Sequence, residues 1–144
     1  MTAFVVDASV ACKWFVGESG SETAEGLLSS ETTLIAPDLV VPEVCNVVRT
    51  KAKLGQMTAE QAALAAETVA DFFDEIVPSA GLAATAFRMA SAFDRPAYAC
   101  FYLALAEARN ARLVSADFRF ADRVRQSRWA GIVMPLSDLN IERQ

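Results

Sequence analysis

The sequence predicts an α/β fold, a central parallel sheet of four to five strands with helices on both faces. Three observations carry that expectation. Short apolar runs rich in β-branched residues alternate with longer helical segments. The runs are too uniformly apolar for a strand with one wet face. The chain of 144 residues, 53% hydrophobic and 22% charged, has the composition of one globular domain spanning residues 1–144.

Each element has its own signal. Ala3–Val6 reads as a buried strand ending at Asp7, and Ser9–Val16 as a helix with Trp14 and Phe15 turned inward. Gly17–Gly20 is a loop, after which Ser21 is expected to cap a short helix through Leu28. Thr32–Ala36 is the second strand, stopped by Pro37. Asp38 is placed to cap a long helix to about Leu54, which Gly55 terminates. Thr58 and Gln61 form a capping box for an alanine-rich helix to about Phe73. Glu75–Val77 is a third strand, Ser79 to about Phe93 a helix, and 94–96 a loop. Tyr98–Asn110 is a strongly apolar helix, Arg112–Ser115 the fourth strand, and Phe120–Gln126 a short helix. Gly131–Met134 is the last strand, before a polar tail. Strands alternating with helices imply right-handed crossovers, and ligand sites in such sheets form beyond the carboxyl ends of the strands.

The chain has no histidine. That excludes Ser-His-Asp and Cys-His nucleophilic sites, His-ligated zinc and His general bases. Cys12, Cys45 and Cys100 have no CxxC spacing and read as free thiols packed in apolar helices of a reducing, cytoplasmic protein. The longest uncharged run, Ile76–Phe87, has 12 residues and is too short to span a membrane. The N-terminus has no basic segment and enters a strand at once, so no signal peptide is expected.

Chemistry must therefore run on other groups, and the carboxylates are arranged for it. Asp7 and Asp117 each follow a strand, and a parallel sheet brings both to one rim. Glu43 lies in an otherwise apolar stretch, Leu39–Cys45, with no basic residue three or four positions away; Asn46 at i+3 can hydrogen-bond it. Three converging acids repel one another, and a hard divalent cation, Mg²⁺ or Mn²⁺, relieves this while recruiting phosphate. Singly, Asp7 and Asp117 also read as helix caps, and Glu43 as a partly solvated helix residue.

The net charge of −5 argues at first against a nucleic-acid partner. It is unevenly spread. From Arg109 to Arg128, six arginines stand against Asp117 and Asp122, so this window carries +4 and the remainder −9. Arg119 and Arg123 are the expected contacts to a phosphate backbone, which arginines hold well; the alternative is a solvated amphipathic helix face. Phe118, Phe120 and Trp129 lie among them; core packing is favoured there over base stacking.

Four segments taken together resemble one family: Val5–Val10 (VVDASV), Pro42–Asn46 (PEVCN), Tyr98–Ala106 (YACFYLALA) and Val114–Asp117 (VSAD). In order and separation they resemble the PIN-domain ribonucleases, most closely the VapC-type toxins of bacterial toxin–antitoxin pairs, over nearly the whole chain. The resemblance implies a PIN-like three-layer fold and an endoribonuclease using Mg²⁺ or Mn²⁺. It implies a single-stranded or structured RNA substrate, a cognate antitoxin over the groove, and a homodimer. It makes Asp7, Glu43 and Asp117 the site acids, Ser9 and Ser115 the hydroxyls behind them, and Asn46 the residue that orients Glu43.

One position departs. The family carries Asp directly after the tyrosine that opens the sixth helix, and here that position is Ala99. A metal ligand is missing inside an intact motif, so weak metal binding and greatly reduced cleavage are expected. The intact Tyr98 and Phe101–Ala106 favour an engineered inactive variant over a naturally degenerate member. Two other readings stay open. One is a module that binds RNA and antitoxin without cleaving. The other is an aspartyl-phosphate phosphatase built on Asp7, against which stand Ser9 in place of a second Asp and the lack of a suitably placed lysine.

Overall fold

A computed structural model describes residues 3–29, 31–94 and 97–139. Its sheet is fully parallel and five-stranded, in the order β3-β2-β1-β4-β5. The strands are β1 (Ala3–Val6), β2 (Thr33–Pro37), β3 (Glu75–Val77), β4 (Arg112–Ser115) and β5 (Val133–Pro135). The helices are α1 (Ala8–Ala11), α2 (Ser21–Ser29), α3 (Val40–Lys53), α4 (Ala59–Thr68), α5 (Ala83–Phe93), α6 (Ala97–Ala108) and α7 (Phe118–Arg125). β1 is central, and the connections lead outward from it in both directions, so β1 and β4 flank the topological switch point.

The strands of the middle are apolar because both of their faces are covered. Val5, Val6, Leu113 and Val114 are buried, as are Leu103 and Leu105 of α6, which lies on β1, β2 and β4. α6 is in turn packed along α5, and α3 along α4. Its apolar residues run almost all the way round, as befits a helix enclosed on most sides. No helix among the described residues is long and apolar enough to cross a membrane.

Most boundaries fall where the sequence places them. Thr58 and Gln61 make the reciprocal capping box. Gly55, at φ +75°, ends α3 as expected: its N–H donates to the Ala52 carbonyl and that of Gln56 to Lys51, the paired bonds of a Schellman turn. Other expectations are corrected. Asp38 does not cap α3; its carboxylate accepts from the backbone N–H and hydroxyl of Ser79, tying the end of β2 to the exit of β3. Pro37 does not stop β2 but is its last residue, opposite Val77. Ser21 sits inside α2, where its hydroxyl accepts the Glu18 N–H and donates to the Val16 carbonyl. The first helix stops at Ala11 and tightens to a 3-10 turn over Cys12–Trp14, and α4 likewise gives way to one over Val69–Phe72. The segment after Ser79 starts as a 3-10 turn over Ser79–Leu82, where Gly81 weakens regular helix. α7 begins at Phe118 rather than Phe120, because Asp117 caps it, and β5 is shifted to Val133–Pro135. Of the expected 94–96 loop, residues 95 and 96 lie outside the described residues, as do residues 140–144 of the polar tail.

Two substitutions separate core from cap. Leu103→Ala, at a fully buried position, should cost about 3 kcal/mol of unfolding free energy. Thr58→Ala should cost about 1 kcal/mol by removing one cap. Urea titration of both variants reads the difference.

Candidate active site

Parallel register brings the site together. Val6 pairs with Val114, so the next residues, Asp7 and Ser115, leave β1 and β4 side by side. The Ser115 hydroxyl donates to Asp7 Oδ2 at 2.5 Å. Ser9, in the first turn of α1, donates to Asp7 Oδ1, also at 2.5 Å, and the Val10 N–H reaches the same oxygen at 3.2 Å. Both serines are used twice. Ser9 Oγ accepts the Ala116 N–H at 3.0 Å, and Ser115 Oγ accepts the Asp117 N–H at 3.1 Å. Asp7 is thus the hub of a closed network joining the ends of two neighbouring strands.

Asp117 caps α7 through a 3.1 Å bond from the Phe120 N–H to Oδ1. Asp7 caps α1 in the same way. The cap reading holds for both, and each cap pins a carboxylate at the rim of the sheet. Glu43, in the first turn of α3, receives a 2.6 Å hydrogen bond from the Tyr102 hydroxyl of α6. This corrects the expectation for Asn46, which faces solvent; Tyr102 is the residue that orients Glu43. Tyr102 was legible in principle. It shares the face of position 99 at i+3, and a buried tyrosine needs a partner for its hydroxyl.

Asp7, Ser9, Glu43, Ala99, Tyr102 and Asp117 line one cleft of ≈ 330 Å³, together with Ala8, Val47 and Tyr98. It lies beyond the carboxyl ends of β1 and β4, at the switch point. Desolvation dominates its electrostatics. Burial pushes the Asp7 carboxyl up from 3.8 to about 6, against the lowering effect of its three hydrogen bonds and with the Glu43 charge adding to the rise. Burial also raises Glu43, opposed by the Tyr102 bond, and the Tyr102 hydroxyl is held firmly protonated. The donors are all hard oxygens, the chemistry that suits Mg²⁺ or Mn²⁺. At position 99, however, the wall offers a methyl group. Among the described residues no three Asp, Glu or Cys side chains stand close enough to hold a cation as a group. The acids fit a divalent cation in kind, and position 99 contributes no oxygen to them.

The arginine window is mostly spent on structure. Arg109 makes two 2.8 Å bonds to Glu75, Arg125 pairs with Asp138 at 2.8 Å, and Arg128 stacks on Trp129 at 4.5 Å. Arg123 donates to the Phe93 carbonyl at 2.9 Å. Arg119, two residues beyond Asp117, is exposed. Phe120 and Trp129 are core residues, as expected, whereas Phe118 is exposed. Cys12 and Cys100 are buried free thiols and Cys45 is partly buried; burial pushes the Cys12 thiol up to about 12, the opposite of activation.

Comparison with known proteins agrees with this architecture. The family model for the PIN domain matches residues 4–125. Ribonuclease VapC3 of Pyrobaculum aerophilum is 31% identical over 121 residues, covering 83% of this chain and 92% of the relative. Two crystal structures share the fold at low identity. VapBC2 from Rickettsia felis, bound to a promoter DNA fragment, gives a TM-score of 0.64 at 13% identity, over 93% of this chain and 98% of the other. Mycobacterium tuberculosis VapC20, a sarcin-ricin loop cleaving toxin, gives 0.62 at 18%, over 82% and 94%.

The raised Asp7 carboxyl has a signed consequence. Its folded-state pKa lies above the unfolded value, so the ionised form costs folding energy. That cost is fully present above about pH 6 and is relieved as pH falls through that value. Asp7→Asn removes it. In EDTA, the melting-temperature difference between Asp7→Asn and the unsubstituted chain should shift in favour of Asn as pH rises from about 4 to about 7. A difference independent of pH would contradict the burial of this charge.

Proposed function

The chain belongs to the PIN-domain family, and from that membership we propose that it is a VapC-type toxin ribonuclease. Its reaction is hydrolysis of RNA phosphodiester bonds, and Ala99 impairs that step. The observation that supports this reading best is the single cleft holding Asp7, Glu43, Asp117 and position 99 at the switch point of the sheet.

Each residue then has a role set by its surroundings. Asp7 and Asp117 are the residues that would hold a divalent cation, Mg²⁺ or Mn²⁺. Such a cation supplies a Lewis acid for a phosphoryl oxygen and lowers the pKa of water. Ser9 and Ser115 fix the Asp7 carboxylate, each by a 2.5 Å bond, so its position is set before substrate arrives. Glu43, steadied by Tyr102, orients the attacking water and takes up its proton. Burial raises its carboxyl above the ordinary glutamate range, which makes the ionised form a stronger base. Arg119 meets the phosphate backbone next to Asp117. Backbone contacts carry no base identity, so the reading names a substrate class and no particular RNA.

The partner we propose is a cognate antitoxin. A basic antitoxin side chain would find three carboxylates around one cleft and would compete with a cation for them. A homodimer belongs to the same reading. One observation favours a second: with a methyl group at position 99, this chain binds RNA and antitoxin without turning RNA over.

Ala99→Asp separates the two. Restoring a ligand should be worth at least the ~10–100-fold that hydrogen-bond partners behind a metal ligand contribute. Cleavage of single-stranded RNA in Mg²⁺ or Mn²⁺ should therefore rise by about that factor or more and vanish in EDTA. No gain would sink the impaired-enzyme reading in favour of the binding module.

A further inference from the structure

A basic groove lies away from the acids, and the reaction above does not use it. Two adjoining cavities, of ≈ 460 and ≈ 520 Å³, share Trp129 in their walls. Arg123 lines one, and Arg88 and Arg128 line the other. Arg88 comes from α5 and stands outside the arginine window of the sequence; the fold sets it in one cavity wall with Glu107 of α6, Arg128 and Trp129. We propose that this groove holds the phosphate backbone of the RNA strand where it leaves the acid cleft. The proposal rests on the ribonuclease reading and adds to it a second, metal-independent site.

The arginines are held in place without being used up. A guanidinium has five donors. Arg123 spends one on the Phe93 carbonyl at 2.9 Å, and Arg128 lies over the Trp129 ring, a contact that takes no N–H. Arg88 makes one long bond, 3.4 Å, to Thr85. The remaining N–H groups are available to phosphate oxygens, in a geometry already partly paid for in side-chain entropy. Glu107, the one carboxylate in the walls among the described residues, accepts the Trp129 indole N–H at 2.7 Å and so braces the ring under Arg128. Three guanidiniums against one engaged carboxylate select a polyanion.

The path also fits. α6 carries Ala99 near its start and Glu107 near its end, so the groove lies about 12 Å along that helix from the cleft. α7 runs from its cap, Asp117, to the same place, and Arg119 and Arg123, at i and i+4, share one of its faces. A strand seated at Asp117 therefore meets Arg119, then Arg123, then the groove. This gives Arg119, Arg123 and Arg128 of the +4 window a use in a chain of net charge −5.

The test is binding in EDTA, where no cleavage intrudes. The probe is a fluorescein-labelled single-stranded oligoribonucleotide of about 20 nucleotides, longer than a ~4–16-nucleotide site. Anisotropy is followed over a salt series for the unsubstituted chain, Arg88→Gln/Arg128→Gln, and a charge-matched control on α3, Arg49→Gln/Lys53→Gln. Removing two phosphate contacts should weaken low-salt binding about tenfold and flatten the log–log salt slope by about 1.4, at ~0.7 per contact. The control should leave the slope unchanged. Arg88→Gln alone, at an exposed site, should give half the change in slope and covers the event that the double variant does not fold. Equal losses in the groove variant and the control would overturn the groove, as would unaltered binding by the groove variants, and either leaves the ribonuclease reading standing. No binding by the unsubstituted chain at low salt would overturn both.

Discussion

The Asp7 carboxylate is the point on which the site depends. It takes two hydroxyl bonds and one backbone bond, and the two serines that supply the hydroxyls accept the N–H groups of Ala116 and Asp117 in turn. Two loops from neighbouring strands are thereby locked to one anion. Burying that anion is unfavourable, and the three donors offset only part of the cost, which is why its carboxyl titrates near 6. The network leaves a carboxylate whose charge is under-compensated. Such a group is poised to gain from a cation or a basic side chain.

Position 99 shows how a residue of the cleft wall can be separated from the core that supports it. α6 is enclosed by the sheet and by α5, and its buried residues Cys100 and Leu103–Ala106 carry the packing. An alanine at 99 costs nothing in helix propensity and little in volume. The fold therefore tolerates it, and the cleft wall carries a methyl group at that point. Stability and chemistry are separable at this residue because it belongs to the cleft wall more than to the core.

Charge is allotted by position as much as by count. Arg109 and Arg125 make exposed ion pairs, which contribute little to stability but are also turned away from the cleft's requirements. Arg123 and Arg128 are anchored by a carbonyl and a ring, which orients them and leaves donors free. The same residue type thus serves as surface ballast in one place and as a preorganised polar wall in another, and the difference lies in what each side chain rests on.

The parallel α/β architecture was readable from alternating apolar runs and helices, because strands covered on both faces must be apolar throughout. Asp7 and Asp117 were readable at the rim for the same reason: residues that follow parallel strands share an edge. The capping box and the glycine turn at Gly55 were local chemistry and needed no tertiary context. Asp38, Ser21 and Asn46 were misjudged where a short polar side chain had several partners within reach and the sequence shows only the near ones. Asp38 chose Ser79, 41 positions away, and Glu43 took Tyr102, 59 positions away. Arg88 joined Arg128 and Trp129 in one cavity wall in the same manner. Periodicity and local hydrogen-bond competition operate within a turn or two of chain. Which distant groups satisfy a buried carboxylate, or line a common groove, is set by how the helices pack, and that is a property of the assembled layers.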